Sequence, residues 1–384
     1  MYKRLLDKPL KKAYSFFLFG PRGTGKTSWL KEAVPTGFYI DLLNQDTFFS
    51  LTQDPHQIVQ MIPKNFKDWI IIDEVQKIPA LLNEVHRMIE EGGYKFILTG
   101  SSARSLKRKG TNLLAGRALY HKMFPLTVQE LGADFDIAKS LKFGHLPTIH
   151  HKDVSPEDYL KSYIHVYLRE EVMQEGLTRN IGAFTRFLHA ASFSQGSTLN
   201  VTKIAKETGV ERKTVEDYFQ ILEDLLLAWR IPVFTKRAKR TPVAHPKFYY
   251  FDVGVYRALR PMGPFDLPEE AEGPALESLV LQELQAINHY YALDYEIFFW
   301  RTVDQLEIDF VLYGPKGLIG IEVKRASKID TKDLKGLKAF QSDYPTAKLY
   351  LFYGGSKRLY IDNIEVIPAK EALMSLPELL SIQS

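Results

Sequence analysis

Residues 20–27 read Gly-Pro-Arg-Gly-Thr-Gly-Lys-Thr, and this octet fits the phosphate-loop spacing GxxxxGK[ST] without a mismatch. The preceding Ser15–Phe19 (SFFLF) is short, apolar and aromatic, as a buried strand is, and the residues from Thr27 onward carry Trp29, Leu30 and Ala33 as an opening helix would. Strand, loop and helix in that order are the context the motif requires. Gly20, Gly23 and Gly25 allow positive φ and close approach, so that successive amides turn inward on phosphate oxygens while the helix N-terminus adds its partial positive charge. Together with Pro21, Arg22 and Thr24 they form the expected nucleotide cradle. Lys26 is expected to reach the β- and γ-phosphates and Thr27 to place a hydroxyl on Mg²⁺. ATP and Mg²⁺ are therefore the first cofactors the sequence implies.

A phosphate loop needs an acidic partner, and Trp69–Glu74 (WIIIDE) supplies one at the end of an apolar run. Asp73 is expected to hold Mg²⁺, directly or through water, and Glu74 to polarise the attacking water. Around these, Gly37–Leu42 reads as a strand, Asp54–Ile62 as a helix, Ile78–Glu91 as an amphipathic helix stopped by Gly92-Gly93, and Lys95–Thr99 as a further buried strand. Alternating strands and helices predict a parallel, three-layer α/β domain with its ligand at the carboxyl ends of the strands.

The chain has 384 residues, enough for two or three domains with cores of their own. Its 45% hydrophobic and 25% charged residues are ordinary for a globular protein. A net charge of +4 permits a nucleic-acid partner without demanding one. The absence of cysteine excludes disulfides, Cys-ligated zinc and thiol catalysis, and accords with cytoplasmic residence. No run of about 18 apolar residues and no apolar signal core is present, so neither a membrane nor export is expected. The histidines show no metal-ligand spacing.

Beyond the first α/β region, Pro156–Glu171 reads as a helical lid or linker with Tyr159, Tyr163, Val166 and Tyr167 roughly on one face, and Arg169 as a candidate nucleotide sensor. From Leu199 the sequence LNVTKIAKETGVERKTVEDYFQILEDLLLAWRI predicts a helix over Thr202–Thr208, a turn at Gly209-Val210, and a second helix from Glu211 whose apolar face runs from Val215 to Trp229. This is a helix-turn-helix pattern. Lys203, Lys206, Arg212 and Lys213 lie where such a motif meets DNA, and Lys236, Arg237, Lys239 and Arg240 supply a basic wing. Glu211, Glu216 and Asp217 dilute that field, which leaves open a role as a packing module.

Near the carboxyl end, Leu306–Leu312 (LEIDFVL) and Leu318–Lys324 (LIGIEVK) read as strands paired about Gly314 and Gly317, after a strand at Glu296–Trp300. Alternation places Glu307 and Asp309 on one face of the first, and Glu322 and Lys324 on one face of the second. Two carboxylates and a lysine thereby converge across a hairpin, a set able to hold Mg²⁺ and activate water.

Taken together, GPRGTGKT, WIIIDEVQ, LTGSS, the Gly116-Arg117 before FPLTVQEL, FGHLP, KFYYFDVGVYRAL and GPALESLVLQEL resemble bacterial and archaeal AAA+ type ATPases, in particular the branch fused to a restriction-endonuclease-like domain. The resemblance spans nearly the whole chain. It implies an AAA+ domain over 1–150, a helical linker and winged helix-turn-helix over 151–240, and a PD-(D/E)XK nuclease-like α/β domain over 241–384. Ser101 then stands where AAA+ ATPases keep a polar contact to the γ-phosphate, and Arg117 where an arginine reaches into a neighbouring subunit, which implies a homo-oligomer, with a hexameric ring favoured. Asp309, Glu322 and Lys324 match the nuclease pattern residue by residue, with Glu277 as the added acidic ligand and Mg²⁺ or Mn²⁺ as the ion. The expected function is ATP turnover coupled to a metal-dependent nuclease-like domain acting on DNA. The alternatives are a DNA-binding remodelling or branch-migration motor with an inactive clamp, and a nucleotide switch for a protein partner.

Overall fold

The computed structural model describes residues 2–6, 8–12, 14–102, 104, 106, 114, 116–168, 170, 172, 180–235, 245–263 and 266–380. It divides into two compact units, Met1–Leu126 with Asp224–Leu226, and Thr127–Glu223 with Leu227–Ser384.

The first unit is built on strands β1 (Phe16–Phe19), β2 (Phe38–Asp41), β3 (Trp69–Asp73), β4 (Lys95–Gly100) and β5 (Leu119–Lys122), in the order β2-β3-β4-β1-β5. Every neighbouring pair is parallel, so all five carboxyl ends lie along one edge. β1 and β3 are buried at every position, which is why each is a continuous apolar run instead of an alternating one. The helix Leu81–Gly92 buries Leu81, Leu82, Val85 and Met88, the face the spacing predicts, and stops at Gly93, whose φ of 63° only glycine adopts freely. One expectation changes. The helix predicted over 54–62 is a 3₁₀ turn opened by Pro55 followed by a single turn at Ile58–Met61, and the longer helix lies just before it, Gln45–Gln53, capped by the Asn44 side chain on the Thr47 amide. That helix buries only Leu51 fully, so it carries little apolar periodicity to read.

In the second unit the helices Val201–Thr208 and Arg212–Asp224 flank Gly209, which turns the chain at φ 65°. The predicted helical face does not extend to Trp229. The helix ends at Asp224, Leu226 takes a positive φ, and Trp229 lies in β6 (Ala228–Ile231), which pairs antiparallel with β7 (Lys247–Tyr250). The lid helix is also shorter than expected: Pro156–Ser162 passes into a π-helical turn at Tyr163–Leu168, and Arg169 lies outside the described residues.

The long helix Pro268–Tyr290 then leads into a six-stranded sheet of β8 (Glu296–Arg301), β9 (Glu307–Gly314), β10 (Gly317–Lys324), β11 (Lys348–Tyr353), β12 (Leu359–Ile361) and β13 (Ile364–Pro368), ordered β12-β13-β11-β10-β9-β8. β8, β9 and β10 form an antiparallel meander, whereas β10 and β11 are parallel and joined through the helix Lys335–Asp343, the longer crossover that parallel strands need. Trp300, Ile308, Leu337, Phe340, Leu351 and Val366 form the core between that helix and the sheet. Among the described residues no helix is long and apolar enough to cross a membrane.

Gly336 lets the crossover helix press onto β9, since a Cβ there would overlap the Glu307 carbonyl oxygen. Gly336→Ala is expected to destabilise the second unit by about 2 kcal/mol, as overpacking does, read as a lower urea midpoint followed by tryptophan fluorescence.

Candidate functional site

At the carboxyl edge of the first sheet the chain leaves β1 and turns at once. Gly20 cannot be larger, because a Cβ would meet the Met123 carbonyl, and Gly23 and Gly25 take φ of 83° and 90°. Gly25 caps the helix Lys26–Ala33, so the helix begins at the residue whose ammonium the motif requires. Lys26 Nζ spans the loop, 2.7 Å from the Gly20 carbonyl and 3.2 Å from that of Pro21. Thr24 ties the loop to itself through a 2.8 Å bond to the Pro21 carbonyl. Arg22 is half-buried at the loop's turn.

Asp73 ends β3 at 4% exposure, and its carboxylate gathers the elements around it. It accepts from Thr27 Oγ1 at 2.9 Å, from the Tyr39 hydroxyl at 2.6 Å, and from Thr99. Because β4 lies between β1 and β3, its tip is where a hydroxyl can reach this acid. All three donors are neutral hydroxyls, and with the Thr27 hydroxyl beside it the Asp73 carboxyl group fits Mg²⁺ accompanying a bound nucleotide. Burial first, and then Asp73, holds the Tyr39 hydroxyl far above its ordinary value, which keeps it a donor. Glu74 follows in the left-handed conformation at φ 61° and accepts from Gln76, whose amide also lies 3.4 Å from Ser101 Oγ. The structure thus brings together Lys26, Thr27, Asp73, Glu74 and Ser101.

Three supporting residues escaped the sequence reading. Tyr39 and Gln76 had signals, a polar group near a strand end and the glutamine of WIIIDEVQ. Arg4 had none: it is buried and braces the loop, donating to the Thr24 carbonyl at 3.3 Å and the Phe124 carbonyl at 2.6 Å.

Arg117 is placed otherwise. β5 pairs Leu119 with Phe16, so Arg117 stands at the amino edge of the sheet, about 13 Å of strand from the loop. There it pairs with Glu90 at the surface. It does not serve its own chain's loop.

In the second unit, Gly314 pairs with Gly317 and Phe310 with Ile321. One step further this register sets Asp309 beside Glu322, at 5% and 7% exposure. The ladder stops there, and Asp309 Oδ2 takes the Val323 amide at 2.9 Å in place of a backbone partner. Lys324 Nζ lies 2.6 Å from Glu322 Oε1, while Glu322 Oε2 is buried with no hydrogen-bond partner among the described residues. Glu277, on the helix Pro268–Tyr290, is half-buried and accepts from the Tyr249 hydroxyl at 3.1 Å. Burial and then Asp309 push Glu277 up to about 8, and burial and Asp309 raise Glu322 well above the usual carboxylate range.

The residue that sequence reading missed here is Lys247. It opens β7 at 2% exposure, its ammonium 2.9 Å from Asp309 Oδ1 and also paired with Glu307. Burial alone would depress this lysine; Asp309, Glu277 and Glu307 outweigh it and raise it well above its ordinary value. Its signal was faint, one lysine at the head of the aromatic run KFYYF. The expected three-carboxylate cage of Glu277, Asp309 and Glu322 is accordingly not what the structure forms. Among the described residues no three acidic or histidine side chains converge on one ion position, and an ammonium lies against Asp309 instead. The unpartnered Glu322 Oε2 is nevertheless a donor oxygen of the kind a hard divalent ion takes.

Of the expected DNA contacts, Lys203, Lys206, Arg212 and Lys213 are exposed around the Gly209 turn, with Lys203 3.8 Å from Glu207 and Arg212 3.1 Å from Glu216. Lys236, Arg237, Lys239 and Arg240 lie outside the described residues.

Residues 12–132 match the family described as AAA domain. That match covers most of the amino-terminal unit and supports an AAA-type ATPase domain there. Residues 134–266 and 272–372 match two families each described as a domain of unknown function, DUF8612 and DUF4143. An uncharacterised protein of Mycobacterium tuberculosis is 25% identical over 98% of this chain and 85% of its own length. Another, of Methanocaldococcus jannaschii, is 22% identical over 91% of this chain and 86% of its own. The structure of the Aeropyrum pernix ORC1 protein in complex with DNA aligns over 64% of this chain and 86% of its own, with 14% identity and a TM-score of 0.26, a likeness too slight to bear on function.

A carboxyl group raised on folding takes up its proton more readily in the folded state, so its unfavourable contribution grows as pH rises from the ordinary 4.5 through about 8. In metal-free buffer the second unit is expected to lose stability across that window. Glu277→Gln should flatten the dependence, measured by urea midpoints at a series of pH values.

Proposed function

We propose that the chain is an ATP-hydrolysing AAA-type protein that binds DNA and couples turnover to a nuclease-like centre of Asp309, Glu322 and Lys324. The observation that carries the reading is the register that sets Asp309 beside Glu322 across one hairpin, with Lys324 on the same strand, in a chain whose amino-terminal unit holds Lys26, Thr27 and Asp73 around a phosphate loop.

In the first centre the loop amides and Lys26 bind the triphosphate, Thr27 and Asp73 are the ligands for Mg²⁺, and the bound ion neutralises phosphate charge. Glu74 orients the attacking water, and Gln76 sets its position relative to Ser101. Arg117, at the amino edge of the sheet and away from its own loop, acts in this reading on the site of a second copy in a ring-forming homo-oligomer, with a hexamer favoured. An arginine supplied in trans accelerates hydrolysis by about 10³- to 10⁵-fold. In the second centre Asp309 and Glu322 hold Mg²⁺ or Mn²⁺, which supplies Lewis acidity toward a phosphodiester. Lys324 orients water and offsets developing charge. Lys203, Lys206, Arg212, Lys213 and the basic segment 236–240 supply phosphate contacts, on a helix-turn-helix followed by the two-stranded β6–β7 wing.

A second reading, a DNA-binding motor whose nuclease-like unit clamps without cutting, draws on the Lys247 ammonium already held by Asp309.

Glu74→Gln is expected to retain ATP while lowering turnover at least about 100-fold, and Lys26→Ala to lose nucleotide binding, both followed by phosphate release and equilibrium binding. Arg117→Ala should lose hydrolysis and regain part of it when mixed with Lys26→Ala subunits; no regain would remove the trans arginine. With Mn²⁺ and linear, forked or four-way junction DNA, cleavage that Asp309→Ala abolishes supports the nuclease reading. DNA-stimulated turnover without cleavage supports the clamp, and failure to bind any nucleic acid with ATP binding intact supports a switch for a protein partner.

A further inference from the structure

Lys247 is the most deeply buried ammonium described at the second centre, and its partners are residues a divalent ion would need. Its Nζ lies 2.9 Å from Asp309 Oδ1 and pairs with Glu307 as well, whose other oxygen takes Arg301 at 3.3 Å. The second Asp309 oxygen is committed to the Val323 amide. Each oxygen of Asp309 therefore already has a partner within the chain, one of them an ammonium. Glu322, in contrast, has one oxygen on Lys324 and one buried oxygen with no hydrogen-bond partner among the described residues. The centre holds one closed carboxylate and one half-open.

We propose that the Lys247 ammonium occupies the cation position of the second centre, so that a divalent ion binds Asp309 and Glu322 only in exchange for Lys247. Ammonium and divalent ion draw on the same acceptor, and two cations at contact distance in a buried site repel each other strongly. The open Glu322 oxygen marks where an incoming ion first finds a ligand, and Asp309 is the ligand it must win. Lys247 thus sets the threshold at which the unit takes up metal. This rests on the reading of Asp309 and Glu322 as ion ligands, but not on whether the loaded centre cuts DNA.

The test is Mn²⁺ binding to the full chain without nucleotide, followed by electron paramagnetic resonance of free Mn²⁺. Wild type and Asp309→Asn are expected to bind equally weakly. Lys247→Met is expected to bind at least about tenfold more tightly, a gain cancelled by adding Asp309→Asn, while Lys247→Arg stays as weak as wild type. The proposal is overturned if folded Lys247→Met binds no more tightly than wild type, or if wild type already holds Mn²⁺ tightly at a site that Asp309→Asn destroys. The latter comparison decides the matter even if Lys247→Met fails to fold, since Asp309→Asn keeps the side-chain shape and one acceptor oxygen, and Lys247 retains Glu307 as a partner. DNA cleavage separates the two readings. Tightened binding in Lys247→Met with no cleavage by any variant sustains this inference and removes the nuclease; cleavage by a wild type that already holds Mn²⁺ tightly through Asp309 does the reverse.

Discussion

A carboxylate at the end of a buried strand has to be solvated by the protein, since water does not reach it, and the kind of donor supplied decides what else it can bind. Asp73 and Asp309 occupy equivalent predicaments at 4% and 5% exposure. Asp73 is met by the hydroxyls of Thr27, Tyr39 and Thr99. These dipoles stabilise the anion without cancelling it, so charge remains for a cation and a triphosphate. Asp309 is met by a backbone amide and an ammonium. Its charge is already matched, and a cation arriving there must replace one that is present.

The same contrast explains why the neighbouring acids behave differently. In the first unit Glu74 projects from a left-handed turn to Gln76, a neutral partner shared at 3.4 Å with Ser101, so the groups that would align water are linked without a competing charge. In the second, Glu277 and Glu322 share a buried region with Asp309, and burial together with that charge raises both toward their protonated forms. Among the described residues two lysines face this set of acids closely, Lys247 and Lys324.

Legibility followed the physics. The octet 20–27, WIIIDE and the β9–β10 hairpin were readable because local rules suffice: glycine at positive φ, apolar runs in parallel strands, and two-residue alternation that puts Glu307 with Asp309 and Glu322 with Lys324. Trp229 was misread because the apolar spacing of Val215–Leu222 continues by chance beyond the point where the helix ends at Asp224. Arg4 and Lys247 were illegible in kind. Each is a buried cation whose partners lie far along the chain, Phe124 for the first and Asp309 for the second, and nothing near either residue announces such a partner. Long-range electrostatic pairing is the part of a site that periodicity does not encode.

Several of the candidate functional cations already hold an internal partner, and the strength of that partner orders the exchanges a ligand can make. Arg212 with Glu216, Lys203 with Glu207 and Arg117 with Glu90 are exposed or nearly so. Pairs of that kind contribute about 0–1 kcal/mol, so a phosphate backbone or an adjoining subunit displaces them at little cost. Lys26 rests on two carbonyl dipoles, and a triphosphate offers more charge than they do. Lys247 is buried against two carboxylates, and separating a buried pair costs about 3–5 kcal/mol when one partner is left bare. The loop and surface contacts thus yield readily, while on the proposed exchange the second centre yields only to a ligand that brings enough charge to hold Asp309 and Glu322 in place of the lysine.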